Sequence, residues 1–197
     1  IGLALTEPRG GTDAANLQLR AEKQGNSSYR LNGEKTSISL SDQADLFVVF
    51  ARTGDPDEGA KGVSAFLVPM DLPGISRSHF DDFGSESVGR GSLFFDDVDV
   101  PAENLLGREG GGFYQVMQGF DYSRALIGLQ CVAAAQASLD ESWAHVQERR
   151  AFDRPLAEFQ GVSFPLSEGE TFMHAARLMC YETLWLRDNG QPHTDKA

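Results

Sequence analysis

Apolar and polar side chains alternate along the first hundred residues, and a period near 3.6 takes over in the remainder. Tyr29-Arg30-Leu31 and Thr36-Ser37-Ile38-Ser39 flank Asn32-Gly33, a dipeptide that accepts the left-handed torsions of a tight hairpin turn. Further strands are predicted over 46–51, 63–69, 75–80 and 92–100. The spacers Gly54-Asp55-Pro56-Asp57 and Leu72-Pro73-Gly74 carry turn chemistry. Short strands joined in this way suggest an antiparallel β-sandwich or barrel. Beyond Pro101, Phe113, Val116, Met117 and Phe120 form one apolar stripe, and a long helix follows over 121–150. Its Ala133-Ala134-Ala135 stretch favours helix intrinsically. A second helix is predicted over 157–187, stopped by Asn189-Gly190 and either kinked or started late by Pro165. Pro101 and Gly110-Gly111-Gly112 punctuate the junction. The expected fold is α+β and multidomain: a β-sandwich or barrel domain over 1–105, then part of an α-helical bundle over 106–197.

Composition narrows the partners. The chain has 197 residues and a formal net charge of -12, which argues against nucleic acid and anionic membrane surfaces. No apolar run approaches the ~20 residues that span a bilayer. Cys131 and Cys180 sit far apart in apolar helical stretches and read as buried thiols in a reducing compartment. With the acidity, that suggests a cytoplasmic protein. His79, His145, His174 and His193 show no metal-ligand spacing and no Cys/His cluster occurs, so no metal is expected. A chain that opens on Ile1 and stops at Lys196-Ala197 reads as a piece of a longer one.

The segment Thr6-Glu7-Pro8-Arg9-Gly10-Gly11-Thr12-Asp13 is the most informative. It combines a hydroxyl, a Pro-stiffened bend and two adjacent glycines, a backbone shaped to lie against something flat and polar. By itself it establishes only a tight turn. Together with other segments it resembles the TEPxxGSD signature of the acyl-CoA dehydrogenases. In the family's order follow Leu31-Asn32-Gly33-x-Lys35, Phe95-Asp96-Asp97-Val98-x-Val100-Pro101, Gly111-Gly112-Phe113, Asp121-x-x-Arg124, and Glu148-Arg149-Arg150-x-Phe152 with Gln160. The resemblance covers the family's middle β domain and part of its C-terminal helical domain.

That resemblance implies an FAD enzyme oxidising acyl-CoA thioesters to 2-enoyl-CoA. A carboxylate takes the α-proton while the β-hydrogen leaves as hydride to the flavin. It places Leu5, Thr6, Gly11 and Thr12 along the isoalloxazine, with Thr12 also touching the CoA arm, and adds Ser37, Ile38 and Ser39 as flavin contacts. Ser37-Ile38-Ser39 stands where many relatives have Trp-Ile-Thr. Ser39 keeps a hydroxyl, but Ser37 cannot replace an indole as a packing face, which suggests a wetter pocket, a bulkier substrate or altered chemistry. Asp121 and Arg124, at the expected start of the long helix, are implied substrate contacts, although an Asp there also suits capping. Arg149, Phe152 and Gln160 match a segment that reaches a partner subunit's flavin. Phe159 stands where many relatives have His.

Glu86 replaces a family Arg, which leaves Arg90 as the candidate loop cation. Some relatives carry their base just before the helix Arg; Ser123 excludes that arrangement here. The base is therefore expected beyond residue 197, and this stretch alone is expected to be inactive. Further implied are an electron-transfer flavoprotein as acceptor and a homo-oligomer, a tetramer. The segments around Ser37 and Asp121 look closer to dehydrogenases of cyclic esters such as cyclohexanecarboxyl-CoA. Two other readings stay open: a non-catalytic relative that binds flavin or CoA, and a β-sandwich interaction module without cofactor.

Overall fold

The computed structural model describes residues 1–84 and 86–197. The chain divides into two compact units, Ile1–Val116 and Met117–Ala197. The first is built on one seven-stranded sheet in the order β1-β4-β2-β3-β7-β6, with β5 pairing β4. The strands are β1 (Gly2–Ala4), β2 (Arg20–Gln24), β3 (Ser28–Ile38), β4 (Leu46–Arg52), β5 (Val63–Pro69), β6 (Ile75–Arg77) and β7 (Gly91–Pro101). The sheet is mixed rather than antiparallel throughout, because β1 and β2 both run parallel to β4. Their connections are long enough to reverse direction, something local turn signals do not report.

Alternation sets the core. Tyr29 and Leu31 on β3, Phe47 and Val49 on β4, Phe66 on β5 and Val98 on β7 are all buried, each contributing about 1.5–3 kcal/mol relative to exposure. Tyr29 and Phe66 meet edge to face with centroids 4.9 Å apart.

The expected hairpin at Asn32-Gly33 does not form. β3 runs straight through that dipeptide, and the β2–β3 hairpin turns instead at 25–27, where Gly25 has φ 61°. Gly33 is needed for another reason: a Cβ there would come within 3.0 Å of the Leu19 backbone. Opposite it, β7 carries an extra residue between the Leu31–Val98 and Gly33–Phe95 pairs. The Asn32 amide clamps this bulge, donating to Asp97 Oδ1 at 3.0 Å and accepting from Asp97 N at 2.9 Å.

α1 (Gly112–Glu148) is a single uninterrupted helix. Its first turn packs on β5 so closely that a Cβ on Gly112 would lie 2.6 Å from the Ser64 carbonyl carbon. In the second unit α1 is followed by a minimal hairpin, β8 (Arg150–Ala151) and β9 (Arg154–Pro155), and then by α2 (Gln160–Asp188). Pro165 is the sixth residue of α2, so the helix neither starts late at the proline nor ends there. The two helices run antiparallel. Cys180 Sγ fills the notch left by Gly128, and Leu139 that left by Gly169. Trp143 Nε1 donates to Glu170 at 3.1 Å.

The cysteines correct an expectation. Cys131 is exposed and Cys180 half-buried. Apolar neighbours in sequence do not bury a helix position whose face no other element covers. No helix among the described residues is long and apolar enough to cross a membrane.

Candidate functional site

In the first unit, the Thr6–Asp13 segment is shaped by one buried ion pair. Glu7-Pro8-Arg9-Gly10 forms a turn closed by Gly10 N donating to Glu7 O at 3.0 Å, with Pro8 at the position where its fixed φ suits such a turn. The Glu7 side chain points inward and is only 6% exposed. Its carboxylate accepts from the backbone N–H groups of Gln18 (2.5 Å) and Leu19 (2.9 Å) and from Lys35 Nζ at 2.8 Å. Lys35 is wholly buried and also donates to the Leu5 carbonyl at 3.0 Å. Burial lowers its pKa to about 8, an effect partly offset by the Glu7 charge and hydrogen bond.

Thr6 is thus held from both sides, and its carbonyl accepts from Thr36 N at 2.9 Å. Gly11 folds back against Thr6, close enough that a Cβ on it would sit 3.5 Å from Thr6 Cγ2. The structure therefore brings Thr6, Gly11 and the Thr36–Ser37 step together, with Thr12 next in the chain.

Ser37 adopts the left-handed region, φ 56°, where the β3–β7 register slips between Lys35 and Ile38. Non-glycine residues there mark functional or strained positions. The slip leaves Ser37 and Ser39 exposed and turns the Ile38 side chain into the core. Leu5 is also buried. Of the seven candidates in this unit, Thr6, Thr12, Ser37 and Ser39 present hydroxyls that bond to no other described residue. Leu5, Gly11 and Ile38 offer backbone or packing.

The loop cation does not stand free. Arg90 makes a bidentate pair with Asp82, at 2.6 and 2.9 Å, which raises the guanidinium pKa and lowers that of the carboxylate. Glu86 is exposed in a short turn.

In the second unit, Asp121 is not a cap. It lies well inside α1, which starts nine residues earlier at Gly112 and continues to Glu148. Its carboxylate is buried, accepting from Arg124 Nη1 at 3.1 Å and from Thr194 Oγ1 at 2.8 Å. Ser123 Oγ donates to the Phe120 carbonyl at 3.3 Å.

Arg149, Phe152 and Gln160 lie just beyond the other end of α1, roughly 40 Å from Asp121 at 1.5 Å rise per residue. Arg149 and Gln160 are exposed. Phe152 and Asp153 form the β8–β9 turn, both left-handed at φ 51° and 61°, and the Phe152 ring is 90% exposed. Phe159 fills in behind, with the Arg154 guanidinium 4.0 Å from its centroid. A bulky side chain in the left-handed region is a strained arrangement, here one that holds an aromatic ring out in solvent.

Sequence reasoning named Lys35 only as part of a motif, without its role, and missed Thr194. Lys35 had a signal: it falls at the two-residue spacing of the buried Tyr29 and Leu31 on β3. Thr194 had none, because its partner lies 73 residues away.

A family model described as the acyl-CoA dehydrogenase middle domain matches residues 2–98, and one described as the acyl-CoA dehydrogenase C-terminal domain matches 110–197. Cyclohex-1-ene-1-carbonyl-CoA dehydrogenase of Geobacter metallireducens is 38% identical over 95% of this chain and 49% of its own length. The mitochondrial short-chain specific acyl-CoA dehydrogenase of Rattus norvegicus is 39% identical over 98% of this chain and 47% of its own. Among solved structures, butyryl-CoA dehydrogenase from Megasphaera elsdenii superimposes with a TM-score of 0.92 at 35% identity, covering 99% of this chain and 51% of that one. The chain spans about half the length of the curated relatives it matches.

Proposed function

The chain belongs to the acyl-CoA dehydrogenase family, and we propose that it is part of an FAD-dependent enzyme that removes the α- and β-hydrogens of an acyl-CoA thioester to give 2-enoyl-CoA. The observation that carries this reading is the neighbourhood of Thr6, Gly11 and Ser37, braced by the buried Glu7–Lys35 pair. The residues present fit a flavin. Four hydroxyls, on Thr6, Thr12, Ser37 and Ser39, are left without partners among the described residues, which suits the polar edge of an isoalloxazine. Bound FAD would supply the acceptor for the hydride leaving the β-carbon.

This chain's own part is to bind and orient. The Thr6 hydroxyl would hold the flavin's polar edge by donating a hydrogen bond to it. Gly11 lets the backbone approach closely because it has no Cβ. Arg124 offers cationic hydrogen bonds to the CoA arm. Arg149, Phe152 and Gln160, at the far end of α1, suit a cofactor held by another subunit, which is why we propose a homo-oligomer, a tetramer. By resemblance to the family, the α-proton would go to a carboxylate outside these 197 residues; Ser123, where some relatives carry the base, has no basicity to offer. An electron-transfer flavoprotein is the proposed acceptor, and a cyclic ester such as cyclohexanecarboxyl-CoA the proposed substrate class.

The test is a comparison of turnover by the full-length protein on cyclohexanecarboxyl-CoA and butyryl-CoA, with an electron-transfer flavoprotein as acceptor. Faster turnover of the cyclic ester supports the whole reading. Preference for butyryl-CoA keeps the reaction and overturns the substrate class. Turnover of neither overturns the reading.

A further inference from the structure

Arg124 is only as well aimed as the carboxylate that holds it. Asp121 is a buried anion in the middle of a helix, and its two oxygens are divided between two donors from different parts of the fold. One goes to Arg124, a turn further along α1, whose side chain remains 53% exposed. The other goes to Thr194, in the segment that follows α2.

That segment is docked rather than trailing. Gln191 N donates to Leu186 O at 2.8 Å, and Lys196 N closes a turn on His193 O at 2.9 Å. The Thr183 hydroxyl, 1% exposed on α2, donates to Lys196 O at 2.9 Å. The segment thus carries the Thr194 hydroxyl to the one oxygen of Asp121 that Arg124 does not use.

We propose that Thr194 is a positioning residue for substrate binding: by fixing the Asp121 carboxylate, it sets the orientation in which the exposed guanidinium of Arg124 meets the CoA arm. The inference rests on the acyl-CoA reading above. An Asp121 carboxylate held by one donor can rotate about its terminal torsion, which is broad and roughly two-fold. Held by two, it presents its other oxygen to Arg124 Nη1 in a single direction. The remaining guanidinium donors then face outward in a fixed fork, suited to a phosphate or carbonyl oxygen. Nothing about Thr194 marks it as packing, because the residue is exposed and its substitution opens no cavity.

The experiment uses the full-length flavoprotein and reads the dissociation constant for acyl-CoA from the flavin spectrum, alongside flavin content. Thr194→Val should weaken acyl-CoA binding about tenfold with flavin content unchanged, and Thr194→Ser, which keeps the hydroxyl, should restore it. In an Arg124→Ala background, Thr194→Val should have no further effect. Wild-type affinity in Thr194→Val overturns the proposal, as does a loss that Ser fails to rescue or that adds in full to that of Arg124→Ala. If the unaltered protein carries flavin but no acyl-CoA perturbs it, the failure lies with the functional reading and takes this inference with it.

Discussion

Lys35 Nζ lies 2.8 Å from Glu7 Oε1 and 3.0 Å from the Leu5 carbonyl, so one buried ammonium grips the chain on both sides of Thr6. The two most distinctive motifs of the first unit, Thr6-Glu7-Pro8 and Leu31-Asn32-Gly33-x-Lys35, are thereby a single structural device. Removing one partner of a buried pair leaves the other charge uncompensated, a cost of about 3–5 kcal/mol. Lys35→Met should destabilise the protein by that amount in urea unfolding. Glu7→Gln combined with Lys35→Met should recover a large part of the loss, because no buried charge then remains. A single variant no less stable than the double would contradict this.

The same lysine gives stability a dependence on pH. Folding lowers its pKa from 10.5 to about 8, so between those values the unfolded chain binds the extra proton. Stability from this group therefore rises as pH rises through that window. Below pH 8 both states hold the proton and the dependence vanishes. The gap in unfolding free energy between the unaltered protein and Lys35→Met should widen from pH 8 to 10.5, as urea titrations at several pH values would show. A constant gap would place the ammonium in a far more polar setting than the structure does.

Phe152 separates stability from cofactor retention. Its ring is 90% exposed and it occupies the left-handed region, so the fold gains little from it. Phe152→Ala in the full-length protein should change unfolding free energy by no more than about 0.5 kcal/mol. Flavin should nevertheless dissociate about tenfold more readily if the exposed ring serves, as proposed, as an aromatic face for the cofactor. Unaltered flavin retention would assign the ring some other partner.

What was legible in the sequence follows from the range of each interaction. Strands β4, β5 and β7 were readable because an apolar or alternating run along one strand is local and the turns between them are chemically marked. The same alternation puts Lys35 on the inward face with Tyr29 and Leu31, but a lysine in a core position explains itself only once Glu7 is found beside it. Asn32-Gly33 misled because its torsional signature is shared by hairpin turns and by bulged pairs; the partner strand's extra residue, far away in sequence, decides which. Asp121 misled because the long helix was expected to start there, where an Asp suits capping, whereas α1 starts at Gly112. The Thr194 contact that gives it a different purpose crosses 73 residues. Parallel pairing of β1 and β2 with β4 was hidden for the same reason. Thr6, Gly11 and Thr12 stood out as a motif because they fall within seven consecutive residues; the brace that shapes the segment, through Lys35, did not.

The most direct test of the account is a visible absorption spectrum of the purified full-length protein, taken before and after anaerobic addition of cyclohexanecarboxyl-CoA. A flavin band that bleaches on addition of the ester is the expected result. A protein with no flavin band would contradict the account at its root, beginning with Thr6 and the hydroxyls around it.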